Sequence, residues 1–391
     1  MLKDPQMTLR TDTLQFDREK QLLYYRYSAT IQDSINTLTS DTGNYYLSLN
    51  KFQAISDVVL TNPDYVLNSN HLDYYTDSGK AFLYGESTIR SDDNLIFCKK
   101  GFYDTKTDVS YFTRDARIEF DNKEIKADSL YYNRNLGFAS ANENIVIIDT
   151  LNNSVLKGNY AEFFEKLDSA FVVGRAVAIT NTNKDSLFIH GDTILATGVP
   201  EERIIRCYHH VKFFKSDLSG KCDSIHSNQG TGLTQMFVNP ILWSDGSQIT
   251  GDTIQLINDT EEDRLDSLKV LYNAFIINKD SMGYNQIKGR NLYGKFEDND
   301  LRFVNVVGNG EIIHYVRDEA QELIGIEKTS CSEIHFLLRE SKIEQARFIN
   351  QPDGQTYPPS KLPKNARKLR GFTWRESEQP RSKEDIFIKD D

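Results

Sequence analysis

Hydrophobic and polar residues alternate along most of this chain. The alternation is clearest in residues 81–89 and 170–179, which are rich in Val, Ile, Phe and Tyr. A period of two over β-branched and aromatic residues predicts strands, and clusters such as residues 104–108 predict the turns between them. The best helical pattern, residues 261–271, is interpreted as a loop insertion. The pattern therefore predicts an all-β protein.

A short motif recurs with a period of about 29 residues, a period of the size that repeat architectures show. It reads small residue, Asp or Asn, any residue, aliphatic, any residue, aromatic, as in residues 127–132. The Asp position of the motif falls in turn at Asp12, Asp41, Asn70, Lys99, Asp128, Asn159, Asp192, Asp223 and Asp252. Its spacing is constant as far as Asp128 and slightly longer after that, and looser copies follow at Arg290 and Ser332. The sequence therefore predicts a repeat protein.

Each repeat has room for two strands of about 10 to 12 residues and two short turns. Strands of that length bend, and both the small residue before Asp and Gly174 of the alternating run are suitable bend points. We predict about eleven repeats of two bent antiparallel strands, stacked over roughly 100 Å into two facing sheets. The predicted bend positions are Asp128, Gly158, Asp192, Asp223 and Asp252.

The repeat divides the chain into residues 1–350, the repetitive stack, and residues 351–391, a C-terminal tail. Five of the nine prolines lie in this tail, where Lys and Arg also cluster. Two interpretations stay open for the tail. It is either a solvated segment or a capping or docking segment, with Phe372 and Trp374 as apolar anchors for a partner.

Charge and cysteine content narrow the function classes. A net charge of −11 argues against nucleic acid as a partner. No apolar run approaches the length of about 18 residues that a transmembrane helix needs, so none is expected. Four Cys are too few for a disulfide scaffold, and three of them (Cys98, Cys222, Cys331) occupy the small position before Asp. Pairing of Cys207 with Cys222 is left open.

The Asp positions of the motif are the strongest candidates for a metal or catalytic site, since aligned carboxylates bind Ca²⁺ or act as acid and base. We favour a structural role, because Asp and Asn side chains cap backbone groups at bends. His209 and His210 adjoin in a predicted strand, point to opposite faces and cannot share an ion. No catalytic or phosphate-binding motif is present, so we predict no catalytic residue, no metal and no cofactor.

The apolar residues of the alternating runs remain, and they form either a packed core or a lipid groove between the two sheets. The residues chosen as groove candidates are Val146, Ile148, Val177, Ile179, Val211, Phe213, Phe275 and Ile277.

The motif, followed by Ala-x-x-x-Gly-x-x-Val-x-Ile, resembles the OstA/LptA-like (organic solvent tolerance) family of lipopolysaccharide-transport proteins. Residues 127–179 and 191–256 carry the resemblance best, and it extends over roughly residues 8–349. It implies an elongated V-shaped β-jellyroll, or β-taco, whose dry interior holds the acyl chains of lipid A. It also implies a non-enzymatic periplasmic protein that pairs end to end with other transport components and bridges inner-membrane and outer-membrane machinery.

Two further points stay as expectations. Residues 1–15 show no apolar run typical of a signal peptide, so we expect a leader that was removed or truncated. The alternative functions are a β-helical polysaccharide-active enzyme, or a structural or adhesive filament built by pairing of open sheet edges. A homo-oligomer is also left open.

Overall fold

The structure, a computed structural model, describes residues 2–3, 7–92, 94–120, 122–151, 153–181, 185–199, 202–260, 264–297, 300–339 and 342–389. The strands in chain order are β1 Leu2–Lys3, β2 Thr8–Thr11, β3 Gln15–Asp17, β4 Leu22–Tyr25, β5 Ala29–Gln32, β6 Thr37–Ser40, β7 Thr42–Tyr46, β8 Lys51–Asn62, β9 Tyr65–Tyr75, β10 Lys80–Arg90, β11 Asn94–Asp104, β12 Val109–Phe120, β13 Lys123–Asn133, β14 Phe138–Asp149, β15 Ser154–Phe164, β16 Ser169–Val173, β17 Val177–Asn181, β18 Ser186–His190, β19 Thr193–Thr197, β20 Ile204–Lys215, β21 Leu218–Asn228, β22 Leu233–Phe237, β23 Ile241–Ser244, β24 Ser247–Thr250, β25 Thr253–Asp259, β26 Arg264–Asp280, β27 Gly283–Glu297, β28 Asp300–Arg317, β29 Leu323–Arg339, β30 Lys342–Ile349 and β31 Asp353–Tyr357. Single 3₁₀ turns lie at Leu47–Leu49, Glu165–Leu167, Lys364–Arg367, Glu376–Glu378 and Asp385–Phe387.

The predicted all-β class is confirmed, since neighbouring strands such as β12 and β13 pair antiparallel throughout their length. Residues 261–263 lie outside the described residues, but β26 begins at Arg264. The interpretation of residues 264–271 as a loop is therefore wrong, because Leu268 and Val270 are buried strand residues. Among the described residues, no helix has the length and apolarity needed to cross a membrane.

The chain divides into two compact units, Met1–Ala176 (unit 1) and Val177–Asp391 (unit 2). In unit 1, strands β8 to β15 pair consecutively, each with the next along the chain. In unit 2, the long strands β26 to β29 do the same. The long strands of each unit thus form an antiparallel stack in chain order, whereas shorter strands also pair out of order, such as β4 with β7 and β22 with β25.

Left-handed backbone pairs bend the long strands. Arg114 and Asp115 in β12 have φ of 60° and 59°, and Tyr272 and Asn273 in β26 have φ of 57° and 50°. At each pair the register shifts, so that two residues oppose a single one, which is Asp128 for the β12 pair. Such a bulge bends the strand and its neighbours at one level of the stack. The recurring Asp position therefore lies opposite a bend.

The bends divide each unit into two walls. In unit 1 the first wall contains the residues of β8 before the bend, Lys51 to Ile55, and the second wall contains those after it, Val58 to Asn62. Next to the bends, one face of both walls carries small, buried side chains such as Ala54 on the first wall and Ala116 on the second, at 0% and 1% exposure. We call this the inner face. At Gly158 a Cβ would collide with Val172, so the inner face has no room for one there.

Candidate functional site

An aliphatic column runs along the inner face of the second wall of unit 1. Each strand between β2 and β15 that takes part in the second wall contributes one residue to this column. Column residues on neighbouring strands are register partners. At about 4.8 Å per strand the column extends on the order of 50 Å. Its members are Leu9, Ile31, Leu38, Leu60, Leu67, Ile89, Ile96, Ile118, Ile125, Ile147 and Leu156.

The exposure of this column changes along the stack. Leu9, Leu38 and Leu67 are buried, whereas every member from Ile89 to Leu156 is only half-buried. Half-buried aliphatic side chains on consecutive strands form a continuous apolar surface that solvent still reaches. Such a surface is a candidate binding site for an apolar ligand.

The first wall of unit 1 presents two columns on the same inner face. The one nearer the bend is closely packed, with Leu83 and Phe112 at 1% and 2% exposure. In the one nearer the open end, aromatic residues alternate with Ala or Ser on successive strands. From β9 to β16 this column reads Tyr74, Ala81, Tyr103, Ser110, Tyr132, Ala139, Phe163 and Ala170.

Two half-buried tyrosines of the inner face, one on each wall, have raised pKa values. Burial, reinforced by the neighbouring Tyr74, raises the pKa of Tyr65, which begins β9 on the second wall. Burial and Asp108 together raise the pKa of Tyr103, whose hydroxyl donates to Asp108 Oδ1 at 2.8 Å. Each ring therefore has an apolar body in the unit and a hydroxyl that stays protonated at neutral pH.

The opposite, outer face of the second wall is charged. Glu124 pairs with Lys126 at 3.0 Å and with Arg117 at 3.6 Å. The predicted groove residues Val146 and Ile148 are register partners of Lys126 and Glu124. They therefore share the charged face, and Ile147 between them belongs to the aliphatic column.

In unit 2 the predicted groove residues divide between the two faces of the second wall. Val211 and Phe213 lie on the inner face, at 0% and 5% exposure. Val177 and Ile179 lie on the outer face, as register partners of His190 and Phe188. On the same outer face are Phe275 and Ile277, the partners of Thr250 and Gln248.

The tail covers this outer face. Leu362 and Leu369 pack against Phe275 and Ile277 in one core cluster, together with Ile313, Tyr315 and Ile326. The rings of Phe372 and Trp374 lie 5.1 and 5.3 Å from that of Tyr284. The structure thus places both predicted docking residues against their own chain.

The inner face of unit 2 is closely packed near its bends. On its first wall a column of register partners runs through β19, β20, β21, β22, β25, β26, β27, β28 and β29, with exposures of 0 to 4%. These partners are Ile194, Cys207, Ile225, Met236, Ile254, Val270, Leu292, Val306 and Ile334. The equivalent column of unit 1, with Leu83 and Phe112, is as deeply buried, so the units differ on the second wall. There the inner column of unit 2 is half-buried at Ile189, Ile276 and Ile287 but interrupted by buried residues such as Phe213, Leu242 and Ile249, whereas the half-buried run of unit 1 is unbroken.

The bend residues make local pairs. The Asp252 N–H donates to Tyr272 O at 3.0 Å, and the Asp252 carboxylate accepts from Asn273 Nδ2 at 3.1 Å. The Asp128 carboxylate accepts likewise from Asn144 Nδ2 at 2.9 Å. These interactions satisfy polar groups at the bend, as a structural role requires.

The two adjacent histidines also lie at a bend. His209 and His210 are both left-handed, with φ of 58° and 54°, and not on alternating strand positions. His210 Nδ1 lies 2.8 Å from Asp192 Oδ2, and His209 Nδ1 lies 3.2 Å from Asp223 Oδ1. Within the part of the chain that the structure describes, no three His, Cys, Asp or Glu side chains gather as metal ligands. All four cysteines, Cys207 and Cys222 included, are free thiols.

The sequence analysis did not select the aliphatic column, although a signal for it exists. Two series of aliphatic residues recur at the constant spacing of the motif. One series is Ile31, Leu60, Ile89, Ile118 and Ile147, and the other is Leu9, Leu38, Leu67, Ile96 and Ile125. Each repeat thus contributes two aliphatic residues at fixed offsets from the bend, one from each of its strands.

Comparison with known proteins bears on the first part of the chain. Residues 1–70 match a protein family described as OstA-like protein, which confirms the predicted resemblance over this segment. No curated protein matches the chain.

Two solved structures are similar in part. LptH from Pseudomonas aeruginosa, described as the LptA homologous periplasmic component of the conserved lipopolysaccharide transport device, is 18% identical, with a TM-score of 0.25, over 27% of this chain and 75% of LptH. The WD40 domain of SCAP from fission yeast is 8% identical, with a TM-score of 0.15, over 79% of this chain and 87% of that domain. At such TM-scores neither likeness establishes a shared overall fold.

Proposed function

We propose that this chain is a non-enzymatic periplasmic carrier of lipopolysaccharide that holds lipid A acyl chains along the aliphatic column of unit 1. The observation that carries the proposal is the half-buried run from Ile89 to Leu156 on consecutive strands. The OstA-like match of residues 1–70, at the start of the same unit, supports it.

The physical gain comes from completing the burial of this surface. Transfer of an acyl chain from water to an apolar site is worth about 0.8 kcal/mol per CH₂ group. On the first wall, Ala81, Ser110 and Ala139 alternate with larger rings, so this column is uneven in height. The tyrosine hydroxyls near the open end suit the polar headgroup, which stays outside.

Partners follow from the same proposal. Open sheet edges at the ends of a strand stack present unpaired backbone groups that a further strand is able to extend. We therefore propose that other lipopolysaccharide-transport components pair with this chain end to end and bridge the two membranes. The repeat array of residues 1–350 is the proposed carrier body.

A pair of adjacent residues on β14 tests the lipid site. Photo-crosslinking amino acids are introduced singly at Ile147, on the aliphatic column, and at Ile148, on the charged outer face. We expect labelled lipopolysaccharide to be captured at Ile147 and not at Ile148, because only Ile147 lies on the inner face. Equal capture at both positions, or capture at neither, would contradict the proposal.

A further inference from the structure

The C-terminal tail crosses the outer face of the second wall of unit 2 in reverse chain order. Its first part packs near β28 and β29 through Leu362. It then passes Gln286 of β27 and Gln248 of β24, and its end reaches Lys212 of β20. The tail thus runs across the strands of this wall and contacts most of them.

Two buried glutamines bracket the tail backbone. Gln286 donates through Nε2 to Arg367 O at 2.8 Å and accepts at Oε1 from Leu369 N at 2.8 Å. The Gln286 carboxamide thus bonds to the backbone groups on both sides of Lys368.

The second bracket repeats this geometry around Trp374. Gln248 donates to Thr373 O at 2.8 Å and accepts from Arg375 N at 2.7 Å. Gln248 and Gln286 are 1% and 0% exposed, so both carboxamides depend on the tail for these bonds. Between the brackets the chain turns at Gly371, whose φ of 93° favours glycine.

Apolar and charged anchors accompany the brackets. Leu369 and Ile386 of the tail are 5% and 1% exposed, which is core-like burial. The Glu378 carboxylate accepts from Arg375 at 2.5 Å and from Lys221 of the wall at 2.5 Å. Buried anchors at intervals with a polar rim are typical of linear-peptide recognition.

The tail adds no strand to the sheet. Among described residues, none beyond Tyr357 belongs to a strand. Its backbone–backbone bonds close local turns, for example Phe372 N to Leu369 O at 3.1 Å and Glu378 N to Arg375 O at 3.0 Å. Side chains of the wall make the contacts to its backbone, so detachment of the tail breaks no β-ladder.

Unit 1 shows what the same wall looks like without such a cover. There the corresponding outer face carries the Arg117, Glu124 and Lys126 ion pairs, which water solvates. In unit 2 it carries Ile241 and Trp243, at 0% and 2% exposure, beside the glutamines. The outer face of unit 2 therefore differs from that of unit 1 in being apolar and covered by the tail.

We propose that the outer face of the second wall of unit 2 is a linear-peptide-binding site, that residues 362–388 are its ligand in cis, and that this ligand exchanges. In this site, Gln248 and Gln286 hydrogen-bond to the peptide backbone, and the apolar surface packs against the peptide side chains. This inference is independent of the proposed lipid function.

Exchange is tested on the full chain with a protease site inserted at the exposed residues Ser360 and Lys361. After cleavage, a fluorescent synthetic peptide of residues 361–389 is added, and its anisotropy is followed. We expect saturable binding as the resident tail leaves, competition by unlabelled peptide, and no binding by a scrambled peptide.

Variants in the peptide test the anchors without affecting the fold. Leu369→Asp in the peptide is expected to weaken binding on the order of tenfold or more, because it buries an unpaired charge. In the protein, Gln286→Leu is expected to weaken binding on the order of tenfold, since it leaves two tail amide groups unpaired. Gln235→Leu, on the first wall, is the matched control and should leave binding unchanged.

Three outcomes would overturn the proposal. One is a cleaved tail that does not exchange with the peptide over a day. Another is equal binding of the scrambled or Leu369→Asp peptide. The third is loss of the folded far-ultraviolet spectrum on cleavage, which would make the tail part of the core and not a ligand.

Discussion

At the residue scale, the two neighbouring positions of the repeat motif do different work. The small position lies inside the bend, where Gly251 has Val270 next to it and no room for a Cβ. The Asp position lies outside, where Asp252 pairs with Asn273 in contact with solvent. The small position therefore limits the side-chain volume inside the bend, and the Asp position satisfies the hydrogen bonds of polar groups at the bend.

This difference predicts unequal costs of substitution. Gly251→Val should destabilise unit 2 by about 1–3 kcal/mol or more, because its side chain overlaps Val270. Asp252→Ala should cost less than about 1 kcal/mol, since it removes only exposed hydrogen bonds. Urea unfolding followed by the fluorescence of Trp243 and Trp374, both in unit 2, measures the two changes. Equal urea midpoints for the two variants would contradict this, because they would show that the bend accommodates a larger side chain at Gly251.

The four thiols give a second prediction at this scale. Burial raises the pKa of Cys98 to about 11 and that of Cys207 to about 12, so little thiolate exists at pH 8. Burial also raises the pKa of Cys222, while Cys331 is the least buried of the four. A thiol reagent should therefore modify Cys331 first in the native protein. In denaturant without reductant all four should react, and a lower number would contradict free thiols.

At the element scale, the sequence predicts strands and bends well but not which face points inward. In β14 the run from Ile145 to Ile148 is aliphatic on both alternating sets, so its periodicity does not distinguish them. Only the register, with Lys126 beside Val146 and Ile125 beside Ile147, separates the faces. Register depends on how two strands pair and is not visible within one strand. In the sequence, only the two periodic series of aliphatic residues indicate it.

The tail is open to two interpretations at the sequence level for a related reason. It carries no periodic pattern, because side chains of the wall hold it and not a ladder of its own. Its anchors Leu362 and Leu369 are seven residues apart, but a single 3₁₀ turn and not a continuous helix separates them. The Pro-rich and basic composition therefore indicates a non-strand segment without indicating its docking face.

Acid is predicted to loosen the tail. Arg375 chiefly, and Lys221 with it, hold the pKa of Glu378 below its ordinary value of 4.5, against the opposing effect of burial. Because Arg375 belongs to the tail itself, only the pair with Lys221 joins the tail to the wall. That pair stabilises docking fully above pH 4.5, and its contribution is lost as the pH falls through the lowered pKa. The emission of Trp374, isolated by Trp243→Phe, should shift to the red over that range. Glu378→Gln should show weaker docking at pH 7 and a flatter pH profile, whereas an unchanged profile would contradict the assignment.

At the scale of the whole molecule, one repeat builds two units with different surfaces. Unit 1 has an unbroken half-buried aliphatic column, and unit 2 has an inner column interrupted by buried residues and a tail-covered outer face. The division at Ala176 falls between Asn159 and Asp192, where the spacing of the motif is longer than at any other step before Asp252. The period alone does not predict this division, because composition and motif continue through it.

The contrast between the units predicts where a lipid acts. Lipid A should slow hydrogen exchange in β10 to β15 of unit 1, where the column is accessible, and leave residues 362–388 unchanged, because the tail lies on an outer face. Ile147→Asp should abolish the protection, since it places a charge among Ile125, Leu156 and the acyl chains. Val146→Asp, one residue away and beside Lys126, should keep it. Protection confined to unit 2, or equal loss in both variants, would show that the column of unit 1 is structural core and that the lipid site lies elsewhere.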